Sequence, residues 1–205
     1  SESHDEVANG KARVPQEINN DDPTGWHAQK RSTLAAGLLF TSPGIPMIFQ
    51  GQEFLQGEWF RDNVPLDWHM NEEYHGVARM YRDLIHLRLN RDGVSRGLCG
   101  QNVAVTHVND QQNLIAFQRW DQHGDGDDVM VIANCGYEVK EGYRIGMPQS
   151  GKWKLRFNSD ASIYSDEFQK TPSTHLTAKD EPQDGLPASA EVTIAPYSVL
   201  VYSRD

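Results

Sequence analysis

Cysteine is scarce in this chain. Only Cys99 and Cys135 occur in 205 residues, and their spacing is not that of a metal site. No disulfide framework can be built on so few thiols, and the simplest expectation is two reduced, partly buried side chains in a cytoplasmic protein. Long apolar runs are missing too. None approaches the roughly 20 residues of a membrane-spanning helix, and the opening residues have neither the basic nor the apolar region of a secretion signal. Positive charge is in deficit, with 19 Lys and Arg against 29 Asp and Glu, a formal net charge of −10. Such a surface repels nucleic acid and anionic membrane, so neither is expected as a partner. A neutral substrate fits better.

What remains is a chain long enough for a real core, 38% hydrophobic and 23% charged, with a mean hydropathy of −0.65. Its five Trp residues offer aromatic platforms on a polar surface. The densest chemistry stands at the start. Ser1-Glu2-Ser3-His4-Asp5-Glu6-Val7-Ala8-Asn9-Gly10 sets carboxylates beside an imidazole, with Gly10 where a chain leaving a strand can turn sharply. Such a group suits a site that handles protons or sugar hydroxyls.

Residues 11–20 are polar and read as a loop. Asp22 or Thr24 can cap a helix with Pro23 in its first turn, and the apolar pattern predicts that helix over 26–40, stopped by Ser42-Pro43-Gly44. The run Ile45-Pro46-Met47-Ile48-Phe49 predicts a strand buried on both faces, as in parallel sheets. A long loop with Trp59 and Phe60 follows over 50–63. A second helix is expected over 72–90, with Val77, Met80, Tyr81, Leu84, Leu87 and Arg88 as its stripe.

The period changes near residue 96. Short strands are predicted at 103–108, 114–120, 129–134, 153–157, 192–195 and 199–202, separated by turn-rich segments that include Gly124-Asp125-Gly126. That spacing points to an antiparallel sandwich, with Trp120 and Trp153 in its core and residues 168–190 as a long loop or irregular hairpin. The fold class is therefore α/β plus all-β. Two βα units cannot close a barrel or cover their own edges, so residues 1–95 have the look of part of something larger, and residues 96–205 of a separate β-sandwich.

Ser3-His4-Asp5-Glu6-Val7 followed by Asn9-Gly10-Lys11 resembles the last catalytic region of the α-amylase superfamily, glycoside hydrolase family 13, in the form found among branching enzymes. Further similarities come in order. Met47-Ile48-Phe49-Gln50-Gly51-Gln52-Glu53-Phe54 is similar to the eighth barrel strand and its loop, with Gln52 where an Asn is usual. Glu58-Trp59, Leu66-Asp67-Trp68-His69, His75-Gly76-Val77 and Gly151-Lys152-Trp153 continue the register. The resemblance covers the whole chain and implies the last portion of a (β/α)8 barrel followed by a C-terminal β-sandwich.

It also implies roles. Asp5 would be the third catalytic carboxylate, stabilising a positively charged transition state, and His4 would hydrogen-bond the sugar beside it. Glu53 and Trp59 are candidate contacts to an α-glucan, although Glu53 could instead pair with an Arg or cap a helix, and Trp59 and Trp68 could be loop anchors. Asp67 reads as a structural hydrogen-bonder. Retaining chemistry also needs a nucleophile and an acid/base about 5–5.5 Å apart. In this family both come from earlier barrel strands that these 205 residues do not contain, and Asp21-Asp22 and Asp127-Asp128 read as solvated loop charges. The chain alone is expected to be inactive. No metal or cofactor is implied; the partners are glucan and the rest of the barrel. Two alternatives stay open: a hydrolase of the same superfamily, and a stand-alone carbohydrate-binding or interaction module.

Overall fold

The computed structural model describes residues 2–124 and 126–204; Ser1, the Asp125 of the expected 124–126 turn, and Asp205 lie outside the described residues. Among the described residues four α-helices precede eight strands: α1 (Val14–Ile18), α2 (Trp26–Thr41), α3 (Trp68–Glu73) and α4 (His75–Arg88), then β1 (Asn102–Asn109), β2 (Leu114–Trp120), β3 (Val129–Asn134), β4 (Lys140–Met147), β5 (Gly151–Asn158), β6 (Leu176–Ala178), β7 (Ala188–Ile194) and β8 (Ser198–Ser203).

The strands form a six-stranded sheet in the order β1-β2-β3-β8-β5-β6 and a second sheet of β4 and β7. Every pairing between them is antiparallel. Side chains alternate across a strand, so β3, buried along its whole length, serves two cores. Val129, Val131 and Ala133 face helices α2 and α4 together with Phe117, Val199 and Val201. Met130 and Ile132 face the second sheet, where Ile145, Met147, Val192 and Ile194 meet Trp153 and Tyr202.

Helix α2 lies close against the large sheet because it is small at the point of contact. A Cβ added to Gly37 would stand 2.9 Å from Val199 Cγ2. Its last carbonyls are met by cations, as the helix dipole favours: Arg88 Nη1 donates to Ser42 O at 2.6 Å, and Arg119, fully buried, reaches Thr41 O. In α4 the buried residues are Gly76, Val77, Met80, Tyr81, Leu84 and Leu87, the expected stripe with Gly76 added and Arg88 only half-buried. Gly76 has no room for a side chain, since a Cβ there would fall 2.2 Å from the Tyr164 carbonyl oxygen.

Several expectations need correction. Residues 45–49 form neither helix nor strand, and Ile45 is 97% exposed; a strand needs a neighbour for its N–H and C=O groups, and among the described residues no strand pairs with this run. Helix α2 is capped by neither Asp22 nor Thr24. A turn closed by Gly25 N–H on Asp22 O delays its start, Gly25 takes the N-cap, and Pro23 falls outside the first turn. The 11–20 loop contains α1. The second helix runs over His75–Arg88 rather than 72–90, and the unexpected α3 precedes it, capped by Asp67, whose Oδ1 accepts from His69 N at 3.1 Å.

In the β region, β4 and β6 were not expected. Asp127 and Asp128 are buried rather than solvated. Asp127 accepts from Asp121 N and Gln122 N, and Asp128 from the amides of Gln118 and Gln149. Trp153 is fully buried, but Trp120 is half-exposed and stacks on His123 at 4.9 Å. Both cysteines are free thiols, and both are exposed rather than partly buried.

Candidate functional site

Residues 3–7 form a tight turn closed by Ser3, whose carbonyl accepts from Glu6 N and Val7 N, each at 3.1 Å. His4 and Asp5 stand on its crest with their side chains 70% and 82% exposed, His4 Nε2 lying 3.3 Å from Asp5 Oδ1. The chain then reverses through Asn9 (φ 57°) and Gly10 (φ 83°), both left-handed, which is the conformational freedom expected of Gly10. Lys11 Nζ returns to donate to Asp5 O at 3.1 Å.

This turn is held from below by a residue that no local pattern singles out. Glu2 is 1% exposed and pairs with Arg13, itself 2% exposed, through Oε2···Nη1 at 2.8 Å. Its other oxygen accepts from Val14 N at 2.9 Å. Burial pushes the Glu2 carboxyl above its ordinary value, with the Val14 N–H and the Arg13 guanidinium pulling the other way. Arg13 also donates from Nη1 to Gln50 O at 3.1 Å and from Nε to Glu58 O at 3.0 Å. One guanidinium therefore ties the turn to both ends of the following loop.

Gln52 makes the second tie. Its Oε1 accepts from Glu2 N and Phe49 N, and its Nε2 donates to the buried Tyr81 hydroxyl at 3.2 Å. Burial raises the Tyr81 phenol above its usual range, so it is a neutral partner. The Gln departure from the family pattern thus keeps an amide in full use. The neighbouring Glu53 sits in a 3-10 turn (Gln52–Phe54) bounded by Gly51 at φ 86° and Leu55 at φ 60°. Its Oε2 is buried and has no partner among the described residues, so neither the Arg pair nor the helix cap considered for it is formed through that oxygen. A carboxylate oxygen left in this state is costly unless something else supplies a donor.

Trp59 is 39% exposed, with the Arg61 guanidinium 5.1 Å from its ring centroid. Arg61 in turn pairs with Glu58 at 2.7 Å. Phe60 N donates to Val7 O at 2.6 Å, a parallel bridge that lays the Trp59 loop beside the opening turn. Trp68, 62% exposed, leans on Phe54.

The structure therefore brings together the stems of the expected site. His4 and Asp5 touch each other, while among the described residues no hydrogen bond or ion pair joins either to Glu53 or Trp59. The segments that carry them share one buried network of Glu2, Arg13, Gln52 and Tyr81. Sequence reasoning missed Glu2 and Arg13. The one available signal was a Glu and an Arg flanking the motif, which by itself singles out nothing.

Residues 105–205 match the family described as the alpha amylase C-terminal all-beta domain, in keeping with the all-β module that the motifs implied. Over nearly its whole length the chain is similar to 1,4-alpha-glucan branching enzymes. It is 34% identical over 207 residues to GlgB of Shewanella baltica (strain OS155), covering 98% of this chain and 27% of that protein. It is 31% identical over 203 residues to GlgB 1 of Xanthomonas campestris pv. campestris (strain 8004), covering 97% and 27%. The chain thus spans about a quarter of the length of these curated relatives. The fold is shared with an alpha-amylase from H. orenii (TM-score 0.60, 20% identity, 98% of this chain and 38% of that one). A debranching enzyme from Nostoc punctiforme shares it too (TM-score 0.58, 18% identity, 96% and 34%). No helix among the described residues is long and apolar enough to cross a membrane.

Proposed function

We propose that this chain is the C-terminal portion of a glucan branching enzyme, which cleaves an α-1,4 linkage of an α-glucan and transfers the freed chain to form an α-1,6 branch. Residues 1–95 would complete a (β/α)8 catalytic barrel and residues 96–205 would form the sandwich that buttresses it. The observation that carries this reading is the 34% identity to a branching enzyme over 98% of the chain. In it Asp5 stabilises the oxocarbenium-like transition state, a carboxylate set where positive charge develops, and His4 hydrogen-bonds the sugar alongside. Glu53 and Trp59 contact the glucan from the neighbouring loop. The buried, unpartnered Glu53 oxygen supports such a role, because a sugar hydroxyl or a group elsewhere in the barrel would satisfy it.

The nucleophile and the acid/base belong to the rest of the barrel, so the 205 residues alone are inactive. Two free thiols suit the reducing cytoplasm. The test is an assay on amylose, following iodine colour and reducing ends, of this chain and of a version extended upstream through the barrel. The expected result is activity only in the extended protein, with branches forming and no new reducing ends. Rising reducing ends would replace transfer by hydrolysis. Activity in the short chain would overturn the assignment of roles.

A further inference from the structure

An aromatic patch lies away from the opening turn, where α2 meets two turns of the sandwich. Trp26 and His27 begin α2, Tyr137 stands in the turn between β3 and β4, and Tyr197 in the turn between β7 and β8. The Trp26 and Tyr137 rings are 6.2 Å apart with planes at 85°, and His27 stacks on Tyr137 at 5.9 Å and 23°. Trp26 and Tyr197 are half-buried against the helix-side core, whereas Tyr137 is 64% exposed. A large aromatic residue exposed to that degree beside three other rings does nothing for the core.

The rings are held in place. Asn134, fully buried at the end of β3, donates to Glu138 O at 2.7 Å and Ala195 O at 2.9 Å and accepts from Gly136 N at 2.9 Å, clamping both turns. Tyr197 N donates to Gly136 O at 3.0 Å. Tyr197 itself is left-handed at φ 44°, a conformation that a bulky residue keeps only where its surroundings impose it.

Beside the rings is an open hollow of about 480 Å³, within the range of about 300–1,000 Å³ typical of small-molecule sites. Trp26, Tyr137 and Pro196 give it apolar walls, and Asp160, Glu167 and Lys170 contribute charge. Asp160 is already committed, one oxygen to Lys30 Nζ at 2.5 Å and the other to Gln169 N at 3.1 Å. The Glu167 carboxylate and the Lys170 ammonium make no hydrogen bond or ion pair among the described residues, which leaves one acceptor and one donor of opposite charge open to a ligand. Flat faces beside one acceptor and one donor suit a neutral molecule with an apolar face and a rim of hydroxyls, rather than an anion or a cation.

We propose that this hollow is a second contact for α-glucan, with a pyranose ring stacked on Tyr137 against Trp26 and its hydroxyls bonded to Glu167 and Lys170; the choice of α-glucan among polyhydroxyl ligands rests on the branching-enzyme reading. Such a contact holds a long chain on the sandwich while the opening turn works on another part of it.

The test is affinity electrophoresis of the full-length protein in gels containing glycogen, with the branching assay on amylose run alongside. Tyr137→Ala is expected to weaken glycogen retardation by about tenfold, the loss of one aromatic stacking contact, and Tyr137→Phe to retain it. Lys170→Ser, an exposed change that leaves every ring in place, is expected to weaken it less. Retardation that is absent in the parent protein, or unchanged in Tyr137→Ala, overturns this site even if branching is normal. Tyr137-dependent retardation without branching activity upholds the site while the branching reading fails.

Discussion

The two halves of the molecule bury themselves in different ways. Helices α2 and α4 and the inner strands are held by apolar packing: β3 is buried along its length, and Val77, Met80 and Leu84 of α4 are each at most 1% exposed. In the segments 2–25 and 42–66 the organising contacts are polar instead, Glu2 with Arg13 and Gln52 with Tyr81, and large apolar side chains face outward, Ile45 at 97%, Met47 at 54% and Val64 at 45%. A packed core resists change by volume, whereas a polar clamp fixes geometry at a few atoms. The first suits a scaffold and the second suits a site whose side chains must stay exposed. On the proposed reading, damage to the exposed side chains of the site should appear in activity and damage to the packed core in stability.

The sharpest contrast is Asp5→Asn. The side chain is 82% exposed and makes no contact beyond His4 and its own turn. In the full-length enzyme the change is expected to lower branching turnover by about 10² to 10³-fold, the scale for removing one preorganised transition-state contact, with the melting temperature unmoved. Near-normal turnover would remove Asp5 from the mechanism. Glu2→Gln, three residues away, should break the comparison from the other side. It keeps the size of the side chain but leaves either Arg13 Nη1 or Val14 N without its acceptor, a loss on the order of 1–3 kcal/mol, seen as faster amide exchange across residues 2–13.

It should also change the pH dependence of stability, and the sign follows from the environment. Burial raises the folded Glu2 value above 4.5, so folding takes up a proton in the interval just above that value. The contribution of Glu2 is then fully present below 4.5 and is lost as pH rises through the folded value. Denaturant unfolding from pH 4 upward, about the bottom of that interval, should show this decline in the parent and not in Glu2→Gln. A parent that gains stability across the interval relative to the variant would mean that the ion pair outweighs burial.

In the packed half, Leu84→Ala should cost about 2–5 kcal/mol, read as a shift of the unfolding midpoint at constant slope. A loss under about 1 kcal/mol would mean that the α4–sheet contact relaxes freely and is not a core.

The difference between the halves also sets what was legible beforehand. Helices α2 and α4 and most strands were plain in the sequence because a side chain packed on one or two faces leaves a period, and the stripe Val77, Met80, Tyr81, Leu84, Leu87 is such a trace. β4 was hidden by Gly142 and Gly146, the latter a place where the Gln183 carbonyl would lie 2.4 Å from any Cβ, and β6 by its three-residue length. The run 45–49 has the composition of a buried strand, but composition cannot supply the neighbour that a strand requires. His4 and Asp5 stand out as candidates because motif and chemistry coincide within a few residues. Their support was not: Glu2 finds Arg13 across 11 positions and Gln52 finds Tyr81 across 29, and no local pattern spans those distances. Asp127 and Asp128 misled for a related reason, since the amides that satisfy them come from other turns and strands.

The smallest expected effect tests the exposed segment itself. At 97% exposure Ile45 touches almost nothing, so Ile45→Ser should shift the stability of the 205-residue chain by no more than about 0.5 kcal/mol, as for surface changes in general. If residues 45–49 are a barrel strand in the longer protein, the same change there exchanges a buried branched side chain for a hydroxyl and should cost about 1.5–3 kcal/mol in lost burial alone. Parallel urea titrations of the short and extended proteins read the difference directly. Equal, small effects in both would mean that the run stays exposed in the longer protein, and the barrel assignment of residues 1–95 would fall with it. A small effect in the short chain and a large one in the long chain would locate the missing neighbour of this segment outside these 205 residues.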